Sequence, residues 1–126
     1  MLNLPRLDWQ VYTPAFAGNR DDPDPMTVDI KLPSYGDVLR RRAAASEKDG
    51  LGEYNRRQLL MHTRNYRNLV VAGEKVTTAE EVWRLSVDED AISYELVIEL
   101  LEALNNRESL EAGLKNGSPS PSGSTG

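Results

Sequence analysis

The chain has no cysteine and a single histidine, His62. Without thiols there is no disulfide framework and no zinc–thiolate centre, which fits a reducing compartment. Aromatic residues make up only 6% of the 126 positions, with one phenylalanine, and the net charge is −5. That balance argues against general nucleic-acid affinity, because phosphate attraction needs positive potential and single-stranded bases need stacking partners. No apolar run approaches the roughly 20 residues of a membrane span. The opening stretch, Met1 to Gln10, carries Asp8 and Trp9 where a signal peptide would have a basic and then an apolar region. The reading is a soluble, intracellular protein of one domain with tails.

What charge there is lies unevenly. Residues 1–33 hold three basic and five acidic groups, residues 34–76 nine and five, and residues 77–126 three and ten. The middle is therefore positive and both ends negative, which suggests association between unlike faces.

Residues 1–25 read as an N-terminal arm, punctuated by Pro5, Pro14, Pro23 and Pro25. Trp9, Val11, Tyr12 and Phe16 make it too apolar to be plain linker; Trp9, Tyr12 and Phe16 are candidate partner contacts, the alternative being that they close the domain's own core. The domain proper spans residues 26–117. Met26, Val28, Ile30 and Leu32 alternate with Thr27, Asp29 and Lys31, the pattern of a half-buried strand. Ser34 and Asp37 have the spacing of a capping box for the next helix, which Lys48 to Gly52 should stop. A central helix is predicted over Glu53–Asn68. Its wheel places Tyr54, Met61, His62, Tyr66 and Leu69 on one side and Arg56, Arg57, Arg64 and Arg67 on the other. Leu69 to Val76 should form a hairpin turning at Ala72-Gly73. Thr77 and Thr78, with Glu80 and Glu81, announce another helix start.

A long helix is predicted over Val87–Leu104, opened by a Ser86–Glu89 capping box. Its apolar face would be Val87, Ala91, Tyr94, Val97, Ile98, Leu101 and Leu104. Asp88, Glu95, Glu99 and Glu102 would form a narrow acidic stripe beside it. Asn105-Asn106 should break that helix, and a last one carries Leu110 and Leu114. Residues 118–126 contain only Ser, Pro, Gly and Thr, the composition of a flexible tail. The fold class is α+β: a mostly helical single domain with a small antiparallel sheet, built from Met26–Leu32 and the hairpin, and a disordered C-terminal tail.

Catalytic residues are scarce. An isolated His62 without cysteine or a serine motif reads as a packed or hydrogen-bonded side chain. Asp21, Asp22 and Asp24 lack the glycine and distal glutamate of a calcium loop, and Gly50-Leu51-Gly52 is not a phosphate-binding fingerprint. Arg40-Arg41-Arg42 and the arginine stripe are candidates for phosphate contact, but a solvated or protein-binding face is the plainer reading. No catalytic residue, metal site or cofactor is expected. Both charged stripes should be exposed. If their helices are core neighbours, their charged edges would pair within one chain; if not, they would permit head-to-tail contact, and self-association that weakens with salt is expected.

The order of these features resembles the small tail assembly chaperones of long-tailed bacteriophages and prophages, over roughly residues 24–117. The resemblance rests on Leu32-Pro33-Ser34-Tyr35-Gly36-Asp37-Val38, then Tyr54-Asn55-Arg56-Arg57 and His62, the hairpin leading into Thr77-Thr78, and Leu110-Glu111-Ala112-Gly113-Leu114 before the Ser/Gly/Pro tail. It implies a non-enzymatic protein of the host cytoplasm, absent from the mature virion. Such a protein binds the tape measure protein, keeps it soluble and assists assembly of tail tube protein around it. It also implies a longer product made by ribosomal frameshifting. The alternatives are a structural neck or tail-completion protein and a small nucleic-acid-binding regulator.

Overall fold

The alternating stretch around Val28 forms the middle of a sheet. The computed structural model describes residues 1–4, 6–44 and 50–117. In it, β2 (Thr27–Ile30) is flanked antiparallel by β1 (Gln10–Tyr12) and β3 (Thr63–Arg67). Met26, Val28 and Ile30 are buried and Thr27 and Asp29 half-buried, as period-two alternation requires. The first neighbour of β2 is thus the arm itself, in which Tyr12 becomes a core residue.

Helix α1 (Tyr35–Ala44) starts at the expected reciprocal cap. The Asp37 amide donates to Ser34 Oγ and the Ser34 amide to the Asp37 carboxylate. Helix α2 (Gly50–His62) differs from expectation at both ends. Gly50 to Gly52 belong to it, while Lys48 and Asp49 of the expected stop lie outside the described residues. The helix ends at His62, where the chain pairs with β2 as β3 and the Thr63 hydroxyl donates back to the Leu59 carbonyl at 2.6 Å. Tyr66 is then buried from a strand, bonded to Thr63 Oγ1 at 2.8 Å. Asn65, at φ 55°, occupies the bulge that shifts the β2–β3 register, a backbone that asparagine tolerates. A helical wheel does not reveal this switch, since Thr and Asn lower helix propensity only slightly. The buried face of α2 is consequently Gln58, Leu59 and His62, while Met61 is half exposed.

The expected hairpin forms as β4 (Val70–Val71) and β5 (Glu74–Lys75), with Ala72 and Gly73 both at positive φ. It makes a separate two-stranded ladder instead of joining β2. Thr78 caps α3 (Ala79–Trp83) in a full capping box with Glu81.

The predicted long helix is divided. A wide π-turn over Arg84–Asp88 ends in a chain reversal at Asp90 (φ 50°), where the Ala91 and Ile92 amides both bond to the Leu85 carbonyl. Glu89 pairs with Arg84 at 2.6 Å in place of the expected box with Ser86. Helix α4 (Glu95–Asn105) begins only afterwards. Its buried face is Leu96, Val97, Leu100, Leu101, Ala103 and Leu104, so Val87, Ala91, Tyr94 and Ile98 are exposed rather than core.

Asn106 breaks the chain and caps α5 (Arg107–Gly117) through Oδ1 to the Glu108 and Ser109 amides. Helix α5 crosses β1 at Gly113, where a Cβ would lie 1.9 Å from the Tyr12 ring. Glycine is what permits this approach. The core unites the sheet, α2, α3, α4 and α5 around Val28, Ile30, Leu59, Val82 and Leu100. Among the described residues no helix is long and apolar enough to cross a membrane. The tail at 118–126 lies outside the described residues.

Candidate functional site

Where the arm meets α4, the chain gathers its densest polar network around one carboxylate. Glu99 accepts the Ala15 amide at 2.7 Å, the Phe16 amide at 2.9 Å and the Tyr12 hydroxyl at 2.8 Å. Arg20 approaches it at 3.7 Å and donates to the Thr13 carbonyl at 2.8 Å. Burial first, then the hydrogen bond to Glu99, pushes the Tyr12 phenol upward, so it remains a donor. Asn19 staples the following bend: its Nδ2 donates to the Pro14 and Met26 carbonyls and its Oδ1 accepts the Met26 amide, all within 2.9 Å. This holds Ala17 and Gly18 at positive φ in the 3-10 segment Phe16–Asp21. The expectation that the whole acidic stripe is solvated fails here. Glu99 is partly buried, held by three hydrogen-bond donors with Arg20 nearby.

The stripe therefore separates. Glu95 and Glu102 are exposed on α4, whereas Asp88 lies on the π-turn before that helix begins. The arginine stripe separates too. Arg56 and Arg57 remain on α2, both reaching Glu53, at 3.4 and 2.7 Å. Arg64 and Arg67 are on β3. Arg67 pairs with Asp29 at 2.6 Å, and Arg64 stacks over the Trp9 ring, 3.9 Å from its centroid. The helices α2 and α4 are core neighbours, and the hydrogen bond between them joins Gln58 to Asn105. Among the described residues no ion pair links their charged stripes.

Of the proposed arm contacts, Tyr12 is buried, Phe16 packs partly buried against the core, and Trp9 is half-covered by Arg64. The apolar side chains that the arm leaves open are Met1, Leu2, Leu4 and Leu7 upstream, with Val11 on β1. They had no periodicity to mark them.

His62 is a packed histidine. Its Nε2 accepts from Arg41 at 2.7 Å and its Nδ1 donates to the Lys31 carbonyl at 3.0 Å, the tautomer the two partners require. Burial, and next the Arg41 charge, hold it below its ordinary pKa, with Asp37 pulling the other way. Arg41 is buried, faces the Tyr54 ring at 5.4 Å, and leaves Nε and one terminal nitrogen without a hydrogen bond. Its neighbour Arg40 pairs with Asp37, and Arg42 is exposed. The three consecutive arginines thus form no common basic patch. Arg41's burial was detectable only as its i+3 spacing from Val38.

Two concavities lie beside the Glu99 network. A partly enclosed one of about 460 Å³ lies between Phe16, Asn19, Met26, Leu69, Val71 and Leu96. An open groove of about 620 Å³ runs between Phe16 and Ala17 on one wall and Tyr94, Ile98, Glu95 and Glu102 on the other. Among the described residues no cluster of three or more His, Asp or Glu side chains is arranged to hold a metal ion. No family model, curated protein or solved structure matches the chain.

Proposed function

We propose that the protein is a tail assembly chaperone of a long-tailed bacteriophage or prophage, acting without catalysis. In this reading it binds the tape measure protein in the host cytoplasm, assists assembly of tail tube protein around it, and leaves before the particle is complete. The observation that supports a binding role is the arm. Met1, Leu2, Leu4 and Leu7 are exposed on a segment that leads into the sheet's edge strand β1. Contiguous open apolar side chains of this kind mark a contact surface, and a segment extending from a folded body can lie along an elongated client. The layout of residues 24–117 supplies the choice of client.

Tyr12, Phe16 and Glu99 anchor the arm in this scheme, and its outer residues meet the partner. The basic residues fit a nucleic-acid regulator less well, because Arg56 and Arg57 share Glu53 and Arg67 pairs with Asp29.

Co-expression with the tape measure protein tests the proposal. The full chain should keep the client soluble and co-purify with it. A chain lacking residues 1–8 should fold, because Tyr12 and β1 remain, but lose the client. A full chain that neither solubilises nor retains the client would overturn the reading. Recovery in purified particles would favour a neck or tail-completion protein, and salt-sensitive retention on DNA a regulator.

A further inference from the structure

The groove between the 3-10 segment and α4 has the chemistry of a second contact site. Tyr94 and Ile98, four residues apart on one helix face, are 64% and 51% exposed. Phe16 and Ala17 face them across the groove. The floor is already compensated, because both Glu99 oxygens are taken by the Ala15 and Phe16 amides and by Tyr12. The rim is not. Glu95 meets only the Ser93 hydroxyl, and neither Glu95 nor Glu102 has an ion pair among the described residues.

We infer that this groove docks a basic amphipathic helix of a partner protein. Charge complementarity selects the sign: the free carboxylates flank the apolar strip seven residues apart, about 10 Å along α4. A partner helix presenting Lys or Arg two turns apart, beside apolar residues at i, i+3 and i+4, matches that strip. A strand is a poorer occupant, because the loop wall's amides at Ala15 and Phe16 are already bonded and offer no ladder. Nucleic acid and anionic lipid are repelled by the same carboxylates. A second copy of the chain is disfavoured because Arg56 and Arg57 on its basic helix face already hold Glu53. The wall is preformed, held by Glu99 and Asn19, so little ordering opposes binding.

The inference rests on the protein being a binding protein, but not on the identity of its client or on the arm. The probe is therefore a fluorescein-labelled Leu/Lys amphipathic peptide of about four helical turns. Its anisotropy is followed against the full chain at about 0.1 M salt. Saturable one-to-one binding is expected. Ile98→Asp alone, and Glu95→Lys with Glu102→Lys, should each weaken it by about tenfold or more. A control pair outside the groove lining, Glu74→Lys with Glu80→Lys, changes net charge equally and should leave the affinity within about twofold. A Leu/Glu peptide of the same pattern should not bind. Tyr94→Ala serves in place of Ile98→Asp if melting shows that variant unfolded.

Four results overturn the inference. They are no saturable binding, equal weakening by the control pair, indifference to the apolar substitution, or a dimer of the native chain that Ile98→Asp dissociates. The last would assign the groove to a second copy. Each can occur while arm-mediated client binding stands, and loss of client binding leaves the peptide result unaffected.

Discussion

Two junctions hold polar groups inside this protein, and they are built in opposite ways. At the arm, a carboxylate sits among donors: two backbone amides, a phenol and a guanidinium converge on Glu99. Between α1 and α2 a buried cation, Arg41, meets a neutral imidazole and an aromatic ring, and two of its nitrogens have no hydrogen bond among the described residues. A buried ion is tolerable when its hydrogen-bonding capacity is filled and its charge is answered. The first junction meets that condition and the second meets it in part. The arm's attachment should therefore be strong, and the α1 attachment weaker and responsive to acid.

The largest break should come from the backbone contact behind the first junction. Gly113→Ala puts a methyl into the Tyr12 ring. The ring cannot retreat without leaving Glu99, so a loss of about 3 kcal/mol is expected in denaturant unfolding, at the upper end for overpacking. An unchanged midpoint would mean that α5 slides freely over β1.

Glu99→Gln comes next. The amide keeps one acceptor, but its NH2 must face donors, leaving an arm amide or the phenol without its acceptor. The expected loss is about 2 kcal/mol, whereas Tyr12→Phe, which removes one donor, should lose about 1 kcal/mol. Equal losses would show that the phenol, not the arm's backbone, carries the junction.

The second junction predicts a pH dependence. His62 has a lowered pKa in the folded state. Its contribution is then fully present above the unfolded value near 6.5 and declines as pH falls through and below it, because the unfolded chain takes up the proton first. Chemical denaturation across pH 8 to 5 should show this fall, and His62→Gln, which retains an acceptor for Arg41, should flatten it. A slope unchanged in that variant would assign the acid sensitivity to other groups. Asp37 is a candidate only at lower pH. Its bond from the Ser34 amide, and then Arg40, hold it down to about 2, so its contribution is lost from pH 4 downward.

The smallest effect belongs to the exposed pairs. Arg67→Ala removes an exposed partner of Asp29 and should lose no more than about 1 kcal/mol at low salt. A larger loss would place β3's edge among the main anchors.

Legibility followed the range of the interaction. The Ser34–Asp37 and Thr78–Glu81 caps, the β2 alternation, the Ala72-Gly73 turn and the break at Asn106 were all readable, because each partner lies within a few residues of the other. The acidic stripe was readable as spacing but not as a set of fates. Glu95, Glu99 and Glu102 share residue type and helix, and only the arm folding over the middle one distinguishes them. The end of α2 was hidden for a similar reason. Thr63 to Arg67 accept helix or strand, and the ladder with β2 selects strand.

The sequence by itself determined the α+β class, the positions of most turns and caps, and the supply of apolar residues for one core. Those follow from local backbone sterics, short-range hydrogen bonds and side-chain periodicity. Tertiary structure decided that the arm enters the sheet, that Gly113 must lack a side chain, that Arg41 is buried beside His62, and that Tyr94 and Ile98 face outward beside free carboxylates. These depend on contacts between residues far apart in the chain, 87 positions in the case of Tyr12 and Glu99. No local preference encodes such a contact. It exists only once packing has brought both groups out of water and made an unmatched polar atom costly.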